Sequence, residues 1–105
     1  MYSYQARLVR IIDADTCVLD LDLGFYQWRL NQSYRLLRIN APERNTDAGV
    51  QAKLALGAFL PGKQLIANTQ KSDSFGRFLI ELYADGKNCS DWLVEQGHAI
   101  YQMYK

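Results

Sequence analysis

The chain has 105 residues, 12 Lys plus Arg against 11 Asp plus Glu, a net charge of +1, and 49% hydrophobic against 22% charged residues. These values exclude a disordered chain as the default, and they exclude a polybasic binder that would hold nucleic acid by bulk field alone. No apolar run approaches the roughly 20 residues of a bilayer-spanning helix, so no membrane partner is expected.

Residues 1–105 are expected to form one domain around a single core. Met1 to Arg10 lacks the uninterrupted apolar stretch of a secretory signal, so the chain as it stands is expected to be cytoplasmic. Cys17, Cys89 and His98 are too few and too scattered for a disulfide framework or a zinc site. The thiols are expected to be reduced and buried, and His98 to be a helix-end residue without a catalytic role. With one histidine, serine–histidine chemistry is weakened as well.

The first half reads as strands. Ala6, Leu8 and, at the limit, Arg10 alternate with Arg7, Val9 and Ile11. Asp13-Ala14-Asp15-Thr16 reads as a turn, because aspartate favours turns. From Cys17 the alternation resumes, with Leu19, Leu21 and Leu23 against Asp20 and Asp22, and Gly24 closes that strand. A third strand is expected from about Gln27 to Ile39, with short breaks near Asn31 to Ser33. Ala41-Pro42 stops it, since proline has no donor for a central ladder.

A helix follows, capped by Thr46 or Asp47, with Val50, Leu54, Ala55 and Ala58 on its apolar side and Pro61-Gly62 at its end. Gln64 to Thr69 reads as a fourth strand and Lys71 to Ser74 as a polar loop. Arg77 to Tyr83 reads as a fifth strand, with a tight turn at Asp85-Gly86. A second helix opens at Asn88, which can cap while Asp91 answers three positions on, and stops at Gly97. Three strands, a helix, two strands and a helix give an α+β class, for which a small five-stranded barrel is one economical closure.

Charged residues gather at the strand ends: Asp13 and Asp15, Arg35, Asn40 to Glu43, and Asp73 to Arg77. In these segments, Ile12-Asp13-Ala14-Asp15-Thr16, Tyr34 to Glu43, Ser74-Phe75-Gly76-Arg77 and Ala84-Asp85-Gly86-Lys87 fall in an order and spacing that resembles the staphylococcal nuclease (thermonuclease) family. Leu93 to Ala99 is similar to that family's final helix. The resemblance runs from about Ala6 to Tyr104. It implies an OB-type five-stranded barrel with two to three helices. It also implies calcium-dependent hydrolysis of DNA and RNA, single-stranded or fraying, with little sequence specificity and 3′-phosphate products. No obligate protein partner is evident.

By the same resemblance, Arg35, Glu43 and Arg77 are catalytic. Glu43 would hold or polarise the attacking water, and the two arginines would grip the phosphate. Asp15, Asp13, Asn40 and the Ala41 carbonyl would hold calcium, and Tyr101, Tyr104 and Phe75 would meet the nucleic acid. The chemistry agrees with these residue types. Calcium takes hard oxygen donors, and arginine's planar fork gives paired charge-assisted bonds to a phosphate. Read without the family, the same residues also fit turn acids, surface ion pairs and an exposed loop acid near a helix start.

This chain departs from the family at several positions. Asn40 stands where an aspartate is usual, which removes a full negative charge from the ion site and should weaken metal binding. Ala14 replaces a common glycine and would be strained if that turn needs a positive φ. Phe75 lacks the hydroxyl of the usual tyrosine, and Ser74 stands where a lysine can occur. Strict alternation would also put Arg35 and Asn40 on opposite faces unless the strand bulges or breaks between them. The alternative reading is a weak or inactive module of the same fold that binds single-stranded nucleic acid or a protein partner.

Overall fold

The structure, a computed structural model, describes residues 2–72 and 78–102, with 71 and 72 as backbone only. Among the described residues, eight strands and two helices follow in the order β1 (Tyr2–Asp13), β2 (Thr16–Gly24), β3 (Gln27–Leu36), β4 (Ile39–Asn40), α1 (Asp47–Phe59), β5 (Leu65–Ser72), β6 (Phe78–Ala84), β7 (Lys87–Asn88), α2 (Cys89–Glu95) and β8 (Ile100–Tyr101). Antiparallel pairing joins β3 to β2, β2 to β1, β1 to β5 and β5 to β6. Parallel pairing of β6 with β3 then closes the ring, with Tyr34 opposite Phe78 and Leu36 opposite Ile80. The result is the expected α+β architecture, a closed five-stranded OB-type barrel with two helices. The short strands β4, β7 and β8 lie outside the ring.

Alternation along the strands fills the barrel. Leu19, Leu21, Tyr34, Leu36, Ile80 and Leu82 are fully or almost fully buried and share one core with Leu56 and Leu60 at the end of α1 and Leu93 of α2. Cys17 and Cys89 are free and buried, as expected. Burial pushes both thiols up to about 12, so they behave as small apolar side chains. Among the described residues, no helix is long and apolar enough to cross a membrane.

The structure corrects three local expectations. A register shift between Leu8 and Arg10 in β1 breaks the alternation, so Ile11 turns toward the core and Arg10 is left exposed. The third strand stops at Leu36 instead of running to Ile39. Leu37 N–H bonds the Ile80 carbonyl, and Arg38 takes a left-handed conformation with φ 70°. Ile39 and Asn40 restart as β4 against β8. This break is what frees Arg35 and Asn40 from strict alternation.

In α1, Val50, Leu54 and Ala58 of the expected apolar side are exposed, Ala55 is half-buried, and the buried residues are Gly49, Ala52 and Leu56. Gly49 takes the inner face at the helix start, where the backbone of Glu43 leaves no room for a larger side chain. Ala14 is fully buried and is absent from the residues with positive φ, so the β1–β2 turn puts no glycine-like demand on it.

Candidate active site

The β1–β2 turn builds the acidic half of the site. Asp13 pairs with Thr16 across the hairpin, which leaves Ala14 and Asp15 as the tip. The Asp15 N–H donates to Asp13 Oδ1 at 3.3 Å, and the Thr16 hydroxyl donates to Asp15 Oδ1 at 3.2 Å. The second oxygen of Asp15 accepts from Ala41 N–H at 3.2 Å and faces Arg35 Nη1 at 3.3 Å. One carboxylate therefore ties the hairpin tip to the segment that follows β4.

Arg35 holds this junction from below. It is only 9% exposed, and its guanidinium also donates to the carbonyls of Leu36 and Ile39, each at 3.1 Å. Those carbonyls flank the left-handed turn at Arg38, so the same bonds fix the turn and aim the fork at Asp15. A buried guanidinium that meets both carbonyls and a carboxylate has the pairing that burial of a charge requires.

Glu43 comes from the loop before α1. Thr46 caps that helix, its hydroxyl accepting from Gly49 N–H at 3.0 Å. Thr46 also donates through its own N–H and hydroxyl to the Glu43 carbonyl, at 3.1 and 2.6 Å. A Cβ at Gly49 would lie 1.9 Å from that carbonyl oxygen. The helix start thus clamps the Glu43 backbone while its side chain stays exposed.

These pieces enclose a depression of about 200 Å³, lined by Asp13, Asp15, Asn40, Ala41, Glu43 and Arg44 with Pro42. Partial burial, then the hydrogen bond and the negative charge of Asp15, push Asp13 up to about 6. Asp15 moves the other way. Burial opposes its ionisation, but the hydrogen bond from Asp13, the Arg35 charge and the donors of Ala41 and Thr16 together hold it below its ordinary value. The two carboxyls titrate as a coupled pair, with Asp13 shifted up and Asp15 shifted down.

The donor set is all oxygen: two carboxylates, the Asn40 amide and the Ala41 backbone. That chemistry suits a hard cation such as calcium. No group of three His, Cys, Asp or Glu able to hold a metal occurs among the described residues. A hard cation held here would take the rest of its roughly six to eight oxygens from water or a substrate phosphate.

The remaining expected site residues are distributed as follows. Tyr101 lies on β8, with its ring half exposed and its hydroxyl donating to Asp91 Oδ1 at 2.8 Å. The Arg38 guanidinium is 5.9 Å from its ring centre. Phe75, Arg77 and Tyr104 lie outside the described residues. His98 lines a second depression of about 230 Å³ that shares Asn40, Ala41 and Pro42 with the first. Sequence reasoning missed Gly49 and Arg44. A glycine in the first turn of a helix was a usable signal for close backbone approach. For Arg44 the only hint was its place next to Glu43.

The family model described as "Staphylococcal nuclease homologue" matches residues 33–105, a span that holds Arg35, Asn40 and Glu43. A protein of Escherichia coli O157:H7 named "Uncharacterized endonuclease" is 33% identical over 101 residues, which is 93% of this chain and 61% of that protein. A protein of the same name from Escherichia coli gives the same identity and coverage. The chain thus spans about 61% of the length of the curated relatives it matches.

Proposed function

We propose that this chain, which belongs to the staphylococcal nuclease homologue family, hydrolyses phosphodiester bonds in single-stranded DNA and RNA with a divalent cation, calcium in the first instance. The observation that carries this reading is the depression in which Asp13, Asp15, Asn40, Ala41 and Glu43 meet above a buried arginine. Two relatives named as endonucleases support it.

Asp15, Asp13, the Asn40 amide and the Ala41 carbonyl would hold the cation. When bound, it supplies positive charge to the phosphoryl oxygens as negative charge builds on them. Glu43 is exposed on a clamped backbone, a suitable place for a carboxylate that takes a proton from the attacking water. The water oxygen bonds to phosphorus as the bond to the 5′-oxygen breaks. The phosphate then stays on the 3′ side, and solvent returns a proton to the departing alkoxide. Arg35, tied to Asp15, positions that carboxylate and contributes positive charge from beneath. Arg77 is assigned the phosphate-facing role that the resemblance gives it.

The test is direct. The purified chain is incubated with denatured DNA and with RNA, in calcium and then in excess chelator. Cleavage that stops with chelator, leaves 3′-phosphate ends and falls about 10²–10⁴-fold in Glu43→Ala is the expected result. A second reading, a silent module that binds single strands, is favoured by Asn40 in place of an aspartate. Strand binding without cleavage in any divalent metal would establish that reading and end the first.

A further inference from the structure

The two ends of the barrel are closed differently. At the end where β1 turns into β2, α1 lies across the opening. Its Leu56 and the following Leu60 are buried in the core, and Gly57 sits near Ile11. The opposite end, where β2 turns into β3, has no such helix among the described residues. It opens on a cavity of about 310 Å³ whose lining includes Tyr4, Leu23, Arg29, Tyr34 and Phe78 together with the polar Thr69 and Gln70.

Three features of this cavity point to a ligand. Tyr34 is 1% exposed, and its hydroxyl has no hydrogen-bond partner among the described residues. An unpaired buried hydroxyl is disfavoured unless something else satisfies it. The Arg29 guanidinium lies over the Phe78 ring, 4.6 Å from its centre, so the cavity wall carries a cation stacked on an aromatic ring. The volume falls at the lower edge of the roughly 300–1,000 Å³ typical of small-molecule sites, room for a nucleoside rather than a large ligand.

The adjoining hairpin tip adds a fourth feature. Phe25 and Tyr26 are 96% and 102% exposed, and both take left-handed conformations, with φ 53° and 60°. Bulky residues rarely accept that backbone, and here no burial compensates for it. The tip holds two aromatic rings in solvent, two and three residues on from Leu23 in the cavity lining.

We propose that this open barrel end binds a nucleobase, with the aromatic walls of Tyr4 and Phe78 against its faces and the Tyr34 hydroxyl bonded to its edge. Every base offers a π face and an in-plane polar edge, so the site would be tolerant of sequence. Burial keeps the Tyr34 hydroxyl protonated and able to donate. Arg29 would sit beside the attached phosphate, which disfavours cationic ligands. The choice of a nucleobase over another aromatic ring rests on the nuclease reading. The site gives a strand a second anchor apart from the acidic depression.

The experiment is an NMR titration of the whole chain with AMP and with UMP, in excess chelator so that cation-dependent binding at the acidic depression is suppressed. Wild type, Tyr34→Phe and Glu43→Ala are compared. Shifts at Leu23, Tyr34 and Phe78 are expected in wild type and in Glu43→Ala, with about tenfold weaker binding in Tyr34→Phe. Thermal unfolding should show Tyr34→Phe at least as stable as wild type, because it loses only the orphaned hydroxyl. Equal affinity in Tyr34→Phe, or shifts confined to Asp15, Asn40 and Glu43, would overturn the proposal. An indole titration checks the ligand class: binding of indole as tight as that of AMP also overturns it. Shifts at the barrel end in a chain that cleaves nothing would leave this site standing while the nuclease reading falls.

Discussion

Arg35 and Arg38 lie three residues apart, and each meets carboxylates, yet they serve different ends. Arg38 pairs with Glu81 through two nitrogens and with Asp91 through a third, and also bonds the Asn88 side chain. Asp91 gains the Tyr101 hydroxyl as well, and these donors, Arg38 first, hold it below its ordinary value. Every acid in that cluster has its donors. Around Arg35, Asp15 is satisfied, but burial, then the hydrogen bond and negative charge of Asp15, push Asp13 up to about 6, and the Asp15 N–H and the Thr16 side chain offset this only in part. The saturated cluster pins β4, β6, α2 and β8 together. The unsaturated one faces an open depression and has oxygen donors to spare.

The comparison can be broken at either arginine. Arg35→Ala leaves Asp15 half-buried without its guanidinium and frees the turn at Leu36 to Ile39. A loss of about 3–5 kcal/mol is expected in chemical denaturation, together with loss of cleavage. Gly49→Ala drives a Cβ into the Glu43 carbonyl. It should cost about 1–3 kcal/mol and reduce cleavage out of proportion, because the shifted backbone carries Glu43 with it. Arg38→Ala removes a half-exposed fork from Glu81 and Asp91. The expected cost is about 1–2 kcal/mol with the cleavage rate per folded molecule unchanged, measured under conditions where both proteins are fully folded.

The smallest effect concerns Asp13 and pH. Its folded value of about 6 lies above the ordinary 3.8, so the folded chain binds the proton more tightly than the unfolded one. In chelator, its contribution to stability is full below about pH 4 and is lost as pH rises through 6. Asp13→Asn should remove that slope and raise Tm at neutral pH, read by thermal scans between pH 4 and 7. Calcium should reverse the trend in wild type, because the cation competes with the proton and binds better above pH 6.

Much of the fold was legible because it is local. The alternation from Cys17 to Leu23, the caps at Thr46 and Asn88 and the stop at Gly97 each depend on residues within a few positions. The end of β3 was not, because the left-handed Arg38 is held by Glu81 and Asp91, more than 40 residues away. The inner face of α1 was misread for a related reason. Hydrophobicity favours Val50 and Leu54, but close approach to the Glu43 backbone requires Gly49, and the buried face runs from it through Ala52 to Leu56. For the site, composition and spacing marked Asp13, Asp15 and Glu43 only as loop acids. It took the family resemblance to group them, since the hairpin tip and the loop after β4 meet only once the barrel closes. The cavity at the other barrel end left no readable signal, because Tyr34 and Phe78 look like ordinary core residues until the parallel β3–β6 pairing puts them side by side.

The most direct measurement is a calcium titration of wild type and Asn40→Asp, followed by calorimetry and, in parallel, by the cleavage rate on denatured DNA. A restored carboxylate in the depression should tighten calcium binding at least about tenfold and lower the calcium concentration for half-maximal cleavage by the same factor. Equal calcium affinity in the two proteins, or cleavage indifferent to calcium in both, would contradict the assignment of this depression as the cation site of a nuclease.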